Sequence, residues 1–258
     1  MQNRVLPLEG VNNFRDYGGY AVAGGGRLRS GVLWRSAQHA LASDADLEAI
    51  HGLGLATVVD LRGPSERDGN PCRRHPDFAA QVFVYPQETA GLALHTEAAD
   101  GKPSRQDAEA AMLRLYDGIA FRPNLIPMLR CYFGVVARDE GPSLVHCVAG
   151  KDRTGFAVAV LQRLLGVHPD DVMADYMLTN EASRLEQRIA ARAFEDMPRY
   201  AGLDEATIRA LWGVAPEYLD AAFAAVAAQH PSLEAYAADV LHLDDKTLGR
   251  IRERLIDA

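Results

Sequence analysis

"LVHCVAGKDRTG" occupies Leu144–Gly155. It sets a cysteine, a lysine, an aspartate and an arginine between two apolar runs, "PSLVHC" before and "TGFAVAVLQRLLG" after. Charged and reactive groups at this density make poor core material. The first run is short and apolar, and predicts a strand. The second is apolar on nearly every side, and predicts a buried helix. A strand that feeds a helix through such a loop aims backbone N–H groups into one concavity. The helix N-terminus adds positive potential there. That cradle suits a tetrahedral oxyanion. The Walker A reading fails on residues: GxxxxGK[ST] needs a glycine where Val145 stands, and Asp152 follows the lysine.

Cys147 at the base of the cradle determines the chemistry. A thiol titrates near ~8.5, but at roughly 3.5–7.5 beside a helix N-terminus and cations. A thiolate nucleophile is therefore expected at Cys147. Arg153 can grip two phosphate oxygens with parallel hydrogen bonds, which a lysine cannot copy. Gly150 lets the loop turn without a Cβ in the way of the anion. Val148, Ala149, Gly150 and Lys151, with Arg153, form the expected phosphate-binding set. Thr154 can give its hydroxyl to the thiolate, and His146 can orient the site through its backbone or ring.

The surrounding pattern predicts α/β architecture. "AGGGR" at 23–27 reads as a hairpin turn, "GVLWRS" as a strand, and Ser43 as the cap of a helix through "DADLEAIHGL". "LATVVDLR" reads as a buried strand, "GPSERDGNP" as loop and "AQVFVYP" as a further strand. Residues 87–104 read as a surface loop, and 108–138 as helix interrupted near Pro123. After Gly166 every segment looks helical, including "EASRLEQRIAARAF" as one piece. Strands separated by crossover-length gaps point to a central, mostly parallel sheet flanked by helices. A helical C-terminal extension follows within about 167–258. The expectation is one domain over residues 1–258.

Bulk composition narrows the classes. The formal charge of −8 argues against broad binding to nucleic acid or anionic lipid. The first ten residues carry no apolar signal core, and no apolar run reaches bilayer length. A cytoplasmic location is expected, with signal-less secretion left open. Three cysteines, Cys72, Cys131 and Cys147, are too few and too uneven for a disulfide framework. HExxH, HxH and CxxC do not occur, so neither a metal site nor a cofactor is expected.

The pattern His-Cys-five residues-Arg, here "HCVAGKDR" followed by "TG", resembles that of the protein tyrosine phosphatases. "NFRDYGG" at 13–19, "LWRSAQ" at 33–38, "VVDLR" at 58–62, "DYMLTN" at 175–180 and "PEYL" at 216–219 extend it. Together they resemble the bacterial tyrosine/lipid phosphatases over most of the chain, in order. Tyr17 stands where that family usually has leucine. The resemblance implies a phosphatase-type sheet with a helical lid. It also implies activity on phosphotyrosine, and often on phosphoserine, phosphothreonine or phosphoinositides, through a phosphocysteine.

The leaving phenolate needs a proton, so an acid/base carboxyl is required. The resemblance assigns that role to Asp152; Glu88 and Asp60 are the rivals. Lys151 reads either as the ligand of a second phosphate or as a solvated rim charge. Arg15, Asp16 and Arg35 read at least as well as structural ion-pair partners as substrate contacts. The expected partner is a phosphorylated protein or a phosphoinositide. A phosphoinositide phosphatase and a catalytically silent phosphate-binding module are the alternatives. A weaker one is an arsenate reductase or sulfur-transfer enzyme. Oligomeric state is not legible.

Overall fold

The computed structural model describes residues 4–90, 102–138, 140–195, 197 and 200–257. Most of the loop expected over 87–104 lies outside these residues. The strands are β1 (Arg15–Asp16), β2 (Arg27–Leu28), β3 (Leu33–Ser36), β4 (Thr57–Asp60), β5 (Gln81–Phe83), β6 (Ser143–His146) and β7 (Ile256–Asp257). The helices of the first half are α1 (Asp44–His51), α2 (Pro64–Gly69), α3 (Arg105–Asp117), α4 (Ile126–Val136) and α5 (Asp152–Leu164). Those of the second half are α6 (Pro169–Met177), α7 (Thr179–Ala182), α8 (Leu185–Ala190), α9 (Glu205–Trp212), α10 (Pro216–Gln229), α11 (Leu233–Asp239) and α12 (Asp245–Leu255).

Five strands form one sheet in the order β1-β3-β6-β4-β5. β3, β6, β4 and β5 run parallel, and the two-residue edge strand β1 is antiparallel to β3. The fold is thus mixed α/β with a mostly parallel sheet, as expected. Parallel strands need helical crossovers, which cover both faces. The alternation of side chains along each strand sorts the core accordingly. Val58 and Leu144 pack with Phe14, Trp34, Leu47 and Ile50 on one face. Val59 and Val145 join the larger cluster on the other face, which reaches Leu255 at the end of α12. α5 lies in that larger cluster, with every residue except Asp152 and Arg163 buried.

Local signals account for several elements. Ser43 and Asp46 form a reciprocal capping box at α1. Gly24, Gly25 and Gly26 all adopt positive φ in the hairpin before β2, which glycine does without Cβ strain.

Three expectations need correction. "GPSERDGNP" is not loop throughout, because its middle forms α2. Pro64 is pre-shaped for the first helical turn, Glu66 accepts from the Gly63 N–H, and Glu88 accepts from the Ser65 N–H. "EASRLEQRIAARAF" is not one helix. It breaks at Arg184, whose φ of 55° is left-handed. Its remainder forms α8 and a set of turns. The chain end is not wholly helical either: β7 pairs antiparallel with β2. Among the described residues no helix is long and apolar enough to cross a membrane.

Candidate active site

β6 runs between β3 and β4, with Ser36, His146 and Asp60 side by side at their carboxyl ends. The loop after His146 therefore leaves from the middle of the sheet's carboxyl edge, where α/β sheets place ligands. Cys147 follows at once and is buried. Gly150 takes a φ of 66°. A Cβ there would fall 2.2 Å from the Ser36 carbonyl oxygen, so only glycine fits.

Neighbours bind the loop from outside. Val148 O accepts from the Gln38 N–H at 2.9 Å. Asn13 Nδ2 donates to Ala149 O at 3.1 Å and Gly150 O at 2.8 Å, and Arg35 Nη2 donates to Gly150 O at 2.9 Å. With its carbonyls held outward, the loop leaves its N–H groups to face an anion. Asn13 is itself held with a left-handed φ of 59° and accepts from Arg15. Arg15 and Arg35 meet on the buried Asp175, at 3.3 and 2.8 Å. Asp16 accepts from the Gly18 and Gly31 N–H groups. These residues are structural supports here.

Arg153, in the first turn of α5, is gripped by a carboxylate that sequence reasoning missed. Its Nη1 and Nη2 donate to Glu66 Oε2 and Oε1 at 2.6 and 2.7 Å. Nη1 also donates to Leu61 O at 3.2 Å and Thr89 Oγ1 at 3.1 Å. A guanidinium has five N–H donors. The Nη1 pair and one Nη2 hydrogen are engaged, which among the described residues leaves Nε–H and the second Nη2–H. These two lie parallel on one edge, the fork that matches two phosphate oxygens. Burial works against the Arg153 charge, but the hydrogen bonds and charge of Glu66 lift its pKa above the ordinary value, with Cys147 adding to this. Glu66 shows the converse: burial raises its pKa, and Arg153 more than reverses this. The readable signal for Glu66 was Pro64 at a helix start with a glutamate three residues beyond Gly63.

Asp152 opens α5 and is 22% exposed. Its Oδ1 accepts from Tyr116 Oη at 2.9 Å, and Tyr176 Oη donates to Tyr116 Oη at 2.7 Å. Both phenols are pushed far above their usual range, first by burial and then by the Asp152 charge, so they remain donors. Oδ2 carries no hydrogen bond among the described residues.

The other sequence candidates sit further from the chemistry. His146 bonds through Nδ1 to Cys147 O at 3.2 Å. The carbonyl accepts, so Nδ1 carries the hydrogen. Burial lowers its pKa to about 4 against the opposing pull of Asp60, so the ring is neutral. Thr154 is fully buried, and its hydroxyl makes no hydrogen bond among the described residues. Asp60 is chelated by Arg62, with Nη2 to Oδ2 at 2.7 Å and Nε to Oδ1 at 2.9 Å. It anchors the sheet end. Glu88 is exposed and serves α2.

Lys151 is neither a rim charge nor turned to solvent. It is 5% exposed, and its ammonium donates to Leu211 O at 2.6 Å and Gly213 O at 3.0 Å, at the end of α9. Among the described residues, Asp60, Cys72 and His146 lie close enough to share a metal ion. Arg62, however, already sets a positive charge against two of them, donating to Cys72 Sγ at 3.1 Å as well as to Asp60.

Residues 6–257 match the model of the tyrosine phosphatase family. A Cupriavidus necator protein whose name places it among the tyrosine-protein phosphatases is 36% identical over 93% of this chain and 85% of its own. The triple specificity protein phosphatase PtpB of Mycobacterium tuberculosis is 30% identical over 98% of this chain and 99% of its own. The chain belongs to the tyrosine phosphatase family.

Proposed function

We propose that the protein hydrolyses phosphomonoesters through a phosphocysteine, removing phosphate from phosphotyrosine and also from phosphoserine and phosphothreonine, a breadth in keeping with a relative named a triple specificity protein phosphatase. One observation carries the reading: the Nε/Nη2 edge of Arg153, left without a partner among the described residues after Glu66, Leu61 and Thr89 take the other donors, just after the loop that carries Cys147. In the first step the Cys147 thiolate attacks phosphorus, and the P–O bond to the phenolate breaks. Asp152 gives that oxygen its proton. In the second step water attacks the phosphocysteine and passes a proton to Asp152. Inorganic phosphate leaves and the thiolate is restored. The loop amides and Arg153 hold the equatorial oxygens through both steps. In this reading residues 1–258 act as one phosphatase domain. Its C-terminal helices form the lid, which Lys151 ties to the loop.

The test is turnover of p-nitrophenyl phosphate with EDTA present, by the wild type and by Cys147→Ser. The serine variant should keep its fold and phosphate affinity and lose turnover, because an alcohol stays protonated where a thiolate is needed. Rapid quench of the wild type should trap phosphate on Cys147. Activity of Cys147→Ser within about tenfold of the wild type would remove the covalent mechanism.

A further inference from the structure

The face of the sheet opposite α5 carries a cavity of about 200 Å³. It exceeds the roughly 150 Å³ void known to admit a benzene ring. The buried side chains of Leu47, Ile50, Val58 and Leu144 give it an apolar lining. Phe78 and Arg74, both half-buried, line it as well, and the Arg74 guanidinium carbon lies 5.0 Å from the centre of the Phe78 ring. Arg74 has no carboxylate partner among the described residues; its Nη1 donates to His39 Nδ1 at 3.2 Å and to Arg73 O at 3.5 Å. Its Nε and Nη2 make no hydrogen bond among the described residues, and neither is one of the unpartnered atoms sealed from solvent. The other cations of the lining are paired: Arg73 with Asp44 and His75 with Glu48. Asp77 also lines the cavity but is 82% exposed, so water screens its charge. A ring-sized apolar hollow beside an accessible guanidinium fork suits a ligand with one ring and one carboxylate.

The polar wall of the cavity leads to the catalytic loop. His39 lines the cavity and is buried. Burial holds its pKa well below the ordinary value, so the ring is neutral. Nδ1 accepts from Arg74, so Nε2 carries the hydrogen and donates to Ser36 Oγ at 3.0 Å. Ser36 Oγ donates in turn to Ala37 O at 2.8 Å. The His39 ring also stacks on that of His146, with centres 5.4 Å apart, and His146 holds the Cys147 carbonyl. One arginine therefore reaches both the cavity and the backing of the loop.

We propose that this cavity binds a small aromatic carboxylate, its ring among Leu47, Ile50, Val58 and Leu144 and its carboxylate on the Nε/Nη2 edge of Arg74, and that occupancy tightens phosphate binding at the catalytic loop. A carboxylate on that edge leaves Nη1 on His39 and immobilises the guanidinium. His39 and the histidine stacked on it are then held in one arrangement before phosphate arrives, and phosphate pays less to order them. The binding site stands by itself; the coupling rests on the phosphatase reading, which makes the loop from Cys147 to Arg153 the phosphate site.

The experiment uses phenylacetate as the probe, with neutral phenylacetamide and ringless acetate as controls. Affinities are measured by calorimetry, with and without saturating inorganic phosphate, for the wild type, Arg74→Gln and Ala79→Trp. Ala79 is exposed and lines the cavity, so a tryptophan there narrows it from the solvent side. Thermal unfolding establishes that each variant is folded. Phenylacetate should bind the wild type at least about tenfold more tightly than either control. Arg74→Gln should reduce phenylacetate to the level of phenylacetamide, and Ala79→Trp should weaken both ring ligands. Phosphate should tighten phenylacetate about fivefold, and by linkage phenylacetate should tighten phosphate by the same factor. Phosphate that weakens phenylacetate would place the probe on Arg153 and overturn the proposal. An affinity indifferent to phosphate, no preference over the controls, or a folded Arg74→Gln that binds phenylacetate like the wild type would overturn it as well. Phosphate that fails to bind the wild type would instead overturn the phosphate cradle, and the preference for phenylacetate and its loss in Arg74→Gln would then decide the cavity alone.

Discussion

Glu66 holds Arg153 end-on, Oε2 to Nη1 at 2.6 Å and Oε1 to Nη2 at 2.7 Å. The pair joins α2 to α5 across 87 residues of sequence. It also leaves the Nε/Nη2 edge as the one without a partner among the described residues, because the other donors are engaged. In the proposed mechanism Arg153 is thus oriented before any substrate arrives, and binding needs no reorganisation of the charge that stabilises the transferring group.

Glu66→Gln should therefore lower kcat about ten- to hundredfold while KM changes less, since a misaimed Arg153 weakens the transition state most. The pair also links stability to pH. The Glu66 pKa in the fold lies below its ordinary 4.5, so the stabilisation is present above that value and is lost as pH falls through the folded-state pKa. The gap in unfolding free energy between wild type and Glu66→Gln should narrow as pH drops below about 4.5. A constant gap, measured by urea titration at several pH values, would mean that the carboxylate's charge contributes nothing.

Asp152→Asn should slow phosphotyrosine hydrolysis by about 10²–10⁴ and p-nitrophenyl phosphate far less, because p-nitrophenolate departs without a proton. The amide oxygen of asparagine can still accept from Tyr116, so the loop should stay in place. The acid must be protonated to act, so the basic limb of the kcat/KM profile should disappear. An unchanged limb, with Glu88→Gln altering it instead, would transfer the role to Glu88.

Gly150→Ala asks for two forbidden things at once, a left-handed φ and a Cβ 2.2 Å from the Ser36 carbonyl. The backbone cost alone is about 1–3 kcal/mol. The loop must shift, and Asn13 and Arg35 lose the Gly150 carbonyl. Activity and melting temperature should fall together; a variant that loses neither would show that the loop turns by another path.

Asp175→Asn should destabilise the protein by about 3–5 kcal/mol, because it leaves Arg15 and Arg35 buried without their counter-charge. The Asp175 pKa is lowered in the fold although burial opposes this, as the two arginines outweigh it. Its contribution is thus complete above the ordinary value of 3.8 and disappears as pH falls below it. Acid unfolding of the wild type should steepen in that range, and that of Asp175→Asn should not. Superimposable acid transitions would rule out the linkage.

What could be read in the chain follows the range of the interactions. Ser43 and Asp46 cap α1 from three residues apart, and the β-branched run of β4 needs no partner to declare itself. Cys147, Gly150 and Arg153 share one loop, so their spacing alone proposed a cradle. Glu66 was hidden because its partner is 87 residues away and its helix is a single capped turn inside a stretch rich in turn formers. The break between α7 and α8 sits at Arg184, a residue type with no special tolerance for positive φ, so tertiary packing and not propensity places it. The two-residue β7 exists only by pairing with β2 at the far end of the sequence. The environment of Lys151 depends on α9, sixty residues on, and no local pattern reports it.

Lys151 yields the last test. Its ammonium meets the carbonyls of Leu211 and Gly213, where the dipole of α9 is negative and the final acceptors lack intrahelical donors. Lys151→Met keeps the long apolar stem and removes only the charge and its hydrogen bonds. The carbonyls would lose a buried donor, at a cost of about 1–3 kcal/mol, and the loop would lose its tie to α9. Amide exchange should then quicken in α9 while β4 and β6 stay protected, since opening of α9 is local. Activity should fall by the same factor on mono- and bisphosphate substrates, because the displacement of α9 and the loss of the charge 3.6 Å from Asp152 Oδ1 are common to both. Selective loss in Lys151→Met with unaltered exchange in α9 would return the second phosphate to Lys151.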